Sequence, residues 1–371
     1  MSSDGYLYVK IYNKLLEEIN QNSYKPGDRL PTEKELSEKY NVSRITSQKA
    51  MNMLVEDGIV TRYPGIGSFV SGGTLEHVME YDGVVVEKPI IGIVLEAIWT
   101  CFGIEVFDGA YEAAKELGYH LIIKKSYGEQ EKEIEAINEL IDMGAKGIII
   151  MPVHGDYYNE EILKLVVEKF PITFIDRYLT GIHAPFVGTD NVKATSDCVT
   201  QFAERGHKNV ALITTCDCQA TTLDERKQGY IEGMVNNSMM INKKHIYDQV
   251  DCIVPHQTNK DAISMNLEDI KRFLHNNPEV TGVVATEYYI GNLVKMAAHQ
   301  LGKRVPTDLE IVCFDAPREY LDQYEFTHIR QNEYQMGFES VSLLHKLIKG
   351  EQIQDKILLD TTLMLGYSTQ R

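Results

Sequence analysis

Between residues 90 and 314 the sequence alternates short apolar runs with longer amphipathic stretches, and this alternation limits the fold more than any other feature. Runs such as 91–95 and 210–214 are apolar almost throughout, as strands are when helices cover both faces of a parallel sheet. The stretches between them, such as 104–117, have helical periodicity. The pattern predicts an α/β architecture with parallel sheets, and residues 90–371 suffice for two lobes. Ligands bind beyond the carboxyl ends of parallel strands, so the cleft between the lobes is the expected site.

The first 72 residues have a different pattern. Helical periodicity covers 6–22, and two shorter helices are expected at 32–40 and 43–56, joined by a tight turn. A Thr-x-x-Glu capping box begins the second helix, and a serine caps the third. A hairpin with a glycine-containing tip follows at 59–70. These elements predict an α+β winged helix-turn-helix domain, whose usual partner is double-stranded DNA.

The distribution of charge fits this division. The net charge of the chain is −17, whereas residues 1–72 hold nine basic and nine acidic residues and are neutral. Phosphate repels an acidic domain, so DNA contact must come from one face of the small domain. Residues 73–89 contain glycine and acidic residues and are expected to form a flexible linker. The predicted domains are therefore 1–72, the linker 73–89, and a ligand-binding and dimerisation domain at 90–371.

Other classes of protein are less compatible with the sequence. It has no signal-peptide pattern and no apolar run of the roughly 18 residues that cross a bilayer, so we expect a soluble cytoplasmic protein without membrane contact. No phosphate loop, nucleophile elbow or strand-linked GxGxxG occurs, so we expect no enzyme and no cofactor. The six cysteines are scattered. Cys216 and Cys218 form either a metal or redox pair or two ordinary thiols, and we predict no metal site.

Three segments of the small domain, 26–36 (PGDRLPTEKEL), 42–44 (VSR) and 65–70 (GIGSFV), resemble the DNA-binding domain of GntR-type regulators in their order and spacing. The resemblance implies DNA contacts from Lys34, Arg44, Thr46, Gln48 and Gly65. Ser47 joins this set because short hydrogen-bonding side chains suit the start of a recognition helix. The family often has arginine where this chain has Gln48, and glutamine pairs with adenine where arginine prefers guanine.

The larger domain resembles the effector domains of LacI/GalR regulators, which are relatives of periplasmic sugar-binding proteins. The segments that carry this resemblance include 91–94 (IGIV), 174–177 (FIDR), 187–191 (VGTDN), 312–315 (VCFD) and 327–331 (THIRQ). The resemblance implies ligand contacts from six residues, namely Phe102, Arg177, Asp190, Arg226, Glu287 and Asp315. Trp99, in the loop after the first strand, is either a ligand contact or a loop anchor. For the two aspartates the alternative is a helix cap or a turn, and for Arg177 it is a hinge ion pair with Asp176.

A GntR-like head on a LacI-like body resembles the arabinose-responsive repressors. The resemblance implies a sequence-specific repressor that binds a palindromic operator as a homodimer. A small sugar, such as the pentose L-arabinose, would release it. The alternative hypothesis is a regulator, and possibly an activator, that responds to a nucleoside or a sugar phosphate. Charged side chains that bind vicinal hydroxyls and an aromatic ring that packs on C–H groups suit a sugar.

Overall fold

The computed structural model describes residues 4–21, 23–63, 67–71, 88–98, 100–153, 159–216, 220–251, 260–318 and 323–369. The chain divides into two compact units, residues 1–88 and 89–371, called here the head and the body. Gly65, Trp99, Cys218 and nearly all of the predicted linker lie outside the described residues. The predictions made for them, and the predicted domain boundaries, stay predictions.

The described part of the head is a helical cluster with a hairpin, as the sequence predicts. Its elements are α1 (Asp4–Asn20), α2 (Glu33–Tyr40), α3 (Arg44–Glu56), β1 (Val60–Tyr63) and β2 (Gly67–Val70). The helices and the antiparallel hairpin enclose a core of their own, which contains Leu15, Leu36, Met51 and Leu54 among its fully buried side chains.

Local hydrogen bonds fix the start of the second and third helices. The hydroxyl of Thr32 accepts from the backbone N–H of Glu35, whose carboxylate accepts from the N–H of Thr32 at 2.7 Å. The Ser43 hydroxyl accepts from the N–H of Thr46 at 3.2 Å. Both caps satisfy N–H groups that a helix leaves without an internal partner. The predicted capping box and serine cap are therefore present.

The body has two lobes. The first contains β3 (Ile90–Leu95), α4 (Ile104–Glu116), β4 (His120–Lys125), α5 (Gln130–Asp142), β5 (Ile148–Ile150), α6 (Glu160–Val167), β6 (Ile172–Ile175) and β7 (Phe186–Thr189). The second contains α7 (Asn191–Glu204), β8 (Val210–Thr215), α8 (Thr221–Asn236), a 3-10 turn (Lys243–His245), β9 (Ile246–Val250), α9 (Lys260–Asn276), β10 (Gly282–Ala285), α10 (Tyr288–Gln300), β11 (Glu310–Phe314) and β12 (Thr327–Arg330). The chain then returns to the first lobe for α11 (Glu333–Lys349) and β13 (Lys356–Leu359), and ends in the second lobe with β14 (Thr362–Met364).

The two sheets have equivalent strand orders, β13-β7-β6-β5-β3-β4 and β14-β12-β11-β10-β8-β9. All neighbouring strands are parallel except β12 and β14. The inner strands are buried along most of their length, whereas the edge strands β4, β9, β13 and β14 are partly exposed. Apolar clusters lie on each side of both sheets. The predicted two-lobed α/β fold with parallel sheets is confirmed, and the equivalent strand order brings the carboxyl ends of both sheets to one cleft.

The chain crosses between the lobes three times in the described residues, at 189–191, at 330–333 and at 359–362. The crossings after β7 and β12 carry polar side chains that face both lobes, as the next section shows. The sequence pattern did not predict the second and third crossings, nor that α11 packs against α4 in the first lobe. Among the described residues no helix is both long and apolar enough to cross a membrane.

Candidate DNA interface and ligand cleft

Helix α3 presents an exposed polar face in the head. Arg44 is its first residue, and Gln48 follows one turn later on the same side. Both side chains are exposed, and neither is bonded to another side chain in the described part of the chain. Lys34, on α2, is exposed as well. A forked cation and an amide at the start of a helix can pair with base edges or phosphates.

Thr46 and Ser47 lie on the inner side of the same helix. Ser47 is fully buried and Thr46 is 8% exposed, and the Thr46 hydroxyl lies 2.8 Å from that of Ser43. The structure therefore separates these two residues from the exposed Arg44 and Gln48. Their contact with DNA stays a prediction, and neither residue is part of the exposed face of α3.

Two further basic residues have partners within the head. The Nζ atom of Lys49 lies 4.2 Å from the centre of the Tyr8 ring. Arg62, on β1, donates to Asn52 at 3.0 Å and to Glu33 at 2.9 Å. Arg62 therefore links the hairpin to α3 and to the start of α2.

Arg226, on α8, is held in the cleft by two hydrogen bonds and by contact with an aromatic ring. Its Nε donates to the side chain of Asn191 at 2.9 Å and its Nη1 to the carbonyl oxygen of Thr286 at 2.7 Å. Its guanidinium lies 3.7 Å from the centre of the Phe314 ring. Only 6% of the residue is exposed. These contacts fix one side and one face of the guanidinium, and an arginine has five N–H donors in a fixed plane.

A second polar chain runs through the crossing after β12. Gln331 donates to the carboxylate of Asp315 at 3.0 Å and accepts from the hydroxyl of Thr189 at 2.6 Å. Asp315 follows β11 in the second lobe, whereas Thr189 ends β7 in the first. Asn191 forms a similar link, because it also donates to the carbonyl oxygen of Thr189 and to the carboxylate of Glu225. The residues of the two crossings therefore bond to both lobes.

Arg177 follows β6 in the first lobe. It is 7% exposed and pairs with Glu96, which follows β3. The pairing differs from the alternative of a hinge ion pair with the adjacent Asp176. Asp176 and Asp315 occupy equivalent positions at the ends of β6 and β11, and both have the left-handed backbone conformation, with φ of 65° and 59°. Aspartate adopts this conformation more readily than most residues.

The cleft has more carboxylates than cations around Arg226. Four carboxyl groups favour the charged form of its guanidinium, namely those of Asp176, Glu225, Glu287 and Asp315. Burial raises the pKa of Asp315 to about 7 against the opposing effect of Arg226. Burial also raises the pKa values of Asp176 and Glu287, although both arginines oppose the shift. Because burial favours the uncharged form of these carboxyl groups, they can donate as well as accept hydrogen bonds.

Phe102 lies at the edge of the cleft, just before α4, and packs partly against the first lobe's core. With Thr100, Cys101, Asp315 and Glu333 it lines a cavity of about 50 Å³ between the lobes. Glu333 is fixed there by the backbone N–H of Gly103, at 2.6 Å. Glu105, Arg318 and Arg330 also line it. The cavity therefore combines aromatic rings with carboxyl and guanidinium groups, a surface that suits the C–H and hydroxyl groups of a polyol.

The remaining predicted contact, Asp190, caps α7. Its carboxylate accepts from the backbone N–H of Lys193 at 3.0 Å. This is the alternative role that the sequence left open, although the residue remains half-buried at a crossing. The structure thus brings Arg177, Arg226, Glu287 and Asp315 into one cluster, with Phe102 beside it. In the described residues no group of three or more His, Cys, Asp or Glu could hold a metal ion.

Sequence reasoning missed Glu96, Gln331 and Glu333 as cleft residues. Glu96 follows β3, Gln331 follows β12, and Glu333 begins α11 after a crossing. The available signal was therefore a position at or just after the carboxyl end of a strand. That signal identifies Glu96, which follows a predicted strand. It does not identify the other two, because the sequence pattern did not place β12 and α11.

Further polar contacts join the lobes, and one of them lies in the lining of the cavity. The Tyr178 hydroxyl donates to Glu225 at 3.1 Å, and the Nζ of Lys356 lies 3.5 Å from the same carboxylate. Burial and the charge of Glu225 raise the pKa of Tyr178 to about 12. On the other side Arg330, which ends β12, lies 3.4 Å from Glu105 on α4. Such contacts can be exchanged for water when lobes separate, more readily than a packed apolar interface.

Comparison with known families gives two matches that divide the chain as its fold does. The family of bacterial regulatory proteins called gntR matches residues 7–70, and the periplasmic binding protein domain matches residues 91–352. The second match covers well over half of the sequence. The chain belongs to the periplasmic binding protein domain family, with a GntR-family head.

Individual relatives of this GntR-headed regulator agree with the assignment. The arabinose metabolism transcriptional repressor of Geobacillus stearothermophilus is 24% identical over 357 residues, 94% of this chain and 93% of the relative. The ribose import binding protein RbsB of Salmonella typhimurium is 24% identical over 288 residues, 75% of this chain and 91% of that protein. The structure of a LacI-family regulatory protein from Chloroflexus aggregans matches with a TM-score of 0.63 at 21% identity, over 76% of this chain and 98% of that one.

These comparisons confirm both resemblances predicted from sequence, the GntR-type head and the LacI-type body. They also confirm that the chain is a regulator rather than an enzyme, since the head belongs to a family of regulatory proteins and the full-length relative is a repressor. The individual contacts with DNA and with a ligand stay predictions.

Proposed function

We propose that this GntR-headed regulator is a transcriptional repressor that a small neutral sugar, a pentose such as L-arabinose, releases from its operator. The observation that carries the proposal is the Arg226 site. Within the described residues Nη2 of Arg226 makes no hydrogen bond, while its other groups are held by Asn191, Thr286 and Phe314. A fixed donor pair beside carboxylates is the arrangement that binds vicinal hydroxyl groups.

The charge of the cleft favours a neutral effector over the alternative, a nucleoside or sugar phosphate. A phosphate near Arg226 would also lie near Asp176, Glu287 and Asp315, the carboxyl groups that interact with this arginine. Burying a further anion among them costs free energy that two arginines only partly offset. Two relatives carry the names of five-carbon sugars, arabinose and ribose, and this supports the choice of a pentose.

The operator is proposed to bind the exposed face of α3, through Arg44 and Gln48, with Lys34 on a phosphate and the wing tip at Gly65 in a groove. One winged domain covers one half-site, so two copies are needed for useful affinity, and we propose a homodimer on a palindromic operator. The cavity of about 50 Å³ is smaller than the roughly 300–1,000 Å³ of ligand pockets in general. We therefore propose that the lobes separate to admit the sugar, close on it, and so change the spacing of the two heads.

A thermal-shift panel tests the choice of effector. Free pentoses and hexoses are compared with their phosphates, each at about 100 times its dissociation constant where binding occurs. At that ratio a ligand that binds only the folded state adds about 2.7 kcal/mol, or roughly 5 °C or more in Tm for a domain of this size. We expect a free pentose to raise Tm and to lower operator affinity in a mobility-shift assay. Binding of phosphorylated compounds alone would contradict the proposal.

A further inference from the structure

One exposed side chain of α3 is apolar, whereas the exposed side chains near it are polar or charged. Ile45 is 76% exposed, and it is the only large apolar side chain exposed in the described part of the head. Most other large aliphatic side chains of that part pack in or against its core, and none of them is as exposed as Ile45, which belongs to no apolar cluster of the described residues. Exposure of this kind contributes nothing to the stability of the head, and a β-branched residue is not favoured at an exposed helical position.

The position of Ile45 sets it among groups suited to base recognition. It follows Arg44, the first residue of α3, and lies one turn before Gln48 and Lys49. Residues three and four apart are neighbours on a helix surface, so Ile45, Gln48 and Lys49 share one face. All three are exposed. An apolar side chain therefore has an amide and a cationic side chain as its neighbours on the same face.

The major groove of DNA offers one apolar partner that varies with sequence. Of the four bases, only thymine carries a methyl group at the groove surface, and apolar side chains contact it. We infer that Ile45 packs against a thymine methyl group and so determines one letter of the operator half-site. The inference rests on the proposed operator binding by α3.

Geometry also restricts where this thymine lies. The Cβ atoms of residues one turn apart on a helix are about 5–6 Å apart, less than two base-pair steps of about 3.4 Å. Gln48 is suited to pair bidentately with adenine. The thymine read by Ile45 therefore lies within about two base pairs of the adenine read by Gln48.

Replacing thymine by deoxyuridine removes the methyl group and leaves every hydrogen-bonding atom in place, so it tests this contact alone. The operator is first selected from random duplexes by the full-length protein, and each thymine of both half-sites is then replaced in turn. For wild-type protein we expect one symmetric position at which the replacement weakens binding about fourfold per half-site, the effect of returning one methyl group to water. At the other thymines the affinity is unchanged.

The variant Ile45→Ala changes the protein side of the same contact, so the two changes together form a double-mutant cycle. It should weaken binding to the thymine operator by a similar factor and should bind the thymine and deoxyuridine operators equally. Because Ile45 is exposed, its truncation should leave Tm and the affinity for non-specific DNA unchanged. Val167→Ala, which truncates an 81% exposed valine at the end of α6 in the body, is the matched control and should keep the full preference for thymine.

Three results would overturn the inference: a selected half-site without thymine, a wild-type protein indifferent to deoxyuridine everywhere, or an alanine variant that retains the preference for thymine. Each can occur with a protein that binds its operator normally, so each leaves the proposed function intact. Failure of the wild-type protein to select any sequence would contradict both, and the two failures are therefore distinguishable.

Discussion

At the scale of single residues, the cleft depends on a few side chains that are held by groups far away in sequence. Arg226 is bonded to residues 35 and 60 positions away, and Gln331 to residues 16 and 142 positions away. A buried cation that is fixed on several sides keeps its orientation without a ligand, so little conformational entropy is lost when one binds. This rigidity makes Arg226 the residue whose replacement is most informative.

We expect Arg226→Lys to weaken binding of the effector sugar about 10- to 100-fold, because a lysine cannot reproduce the charge-assisted hydrogen bonds of a planar guanidinium. Isothermal titration with the sugar identified in the thermal-shift panel measures this change. Arg205→Lys is the matched control, since Arg205 pairs with Glu310 at 2.9 Å in the same lobe and does not bond to the cleft residues. Equal affinities for both variants would show that Arg226 does not contact the ligand.

Asp315 gives the protein a dependence on pH. Its pKa is about 7 in the folded chain, against 3.8 as the ordinary value, so the folded state holds a proton more tightly than the unfolded state. The resulting stability is fully present below about pH 4 and is lost as the pH rises through 7. The free energy of unfolding of wild type minus that of Asp315→Asn should therefore decrease between pH 5 and pH 8.

Denaturant unfolding at the two pH values measures this difference. Asp308→Asn is the control: Asp308 has its pKa lowered to about 2, chiefly by a hydrogen bond from Arg304, so its contribution is lost only far below pH 5. Its difference from wild type should be constant between pH 5 and pH 8. A constant difference for Asp315→Asn as well would mean that its carboxyl group titrates normally.

At the scale of elements, the sequence predicted most of the body correctly because its strands and helices carry strong local signals. The predicted strands 91–95 and 210–214 and the predicted helix 104–117 match β3, β8 and α4 to within one residue at each end. The pairing of α4 with α11 is different, since these helices are more than 200 residues apart in sequence. They approach closely at Gly109 and Gly337, where an added Cβ would lie 1.9 Å from the carbonyl oxygen of Tyr334 and 2.0 Å from that of Val106.

Gly337→Ala should therefore destabilise the body by about 1–3 kcal/mol or more, because the new methyl group forces the two backbones apart. Differential scanning calorimetry of the full chain measures the change in Tm. Gly291→Ala, on α10, is the control: its Cβ would meet the Cβ of Cys313 at 3.3 Å, and a small shift relieves that contact. A larger loss for Gly291→Ala than for Gly337→Ala would contradict the close packing of α4 and α11.

At the scale of the whole molecule, the head has its own apolar core and its own capped helices, and the body has the cleft. This division of labour predicts that binding of DNA and binding of sugar are separable in space but coupled in free energy. The coupling must be reciprocal, so operator DNA must lower the affinity for the sugar by the same factor as the sugar lowers that for DNA.

A fragment of residues 1–72 should accordingly bind the operator at least about 100-fold more weakly than the full chain, because it lacks the second head that dimerisation supplies. Its binding should not respond to the sugar. Fluorescence anisotropy with labelled operator measures both effects, and circular dichroism checks that the fragment is folded. Tight binding by the fragment that the sugar weakens would contradict the proposed division between head and body.

The sequence by itself determined most of the helices and strands, the caps of the head and the residue types of the site, because these depend on periodicity and on contacts within a few residues. Arg177, Arg226, Glu287 and Asp315 were identified by resemblance before any partner was known. Only the tertiary structure decided which residues meet: that α11 returns to the first lobe, that Gln331 links Asp315 to Thr189, and that Arg177 pairs with Glu96. Neighbouring strands of a parallel sheet are separated along the chain by helices. A local pattern therefore does not show which strand ends lie side by side.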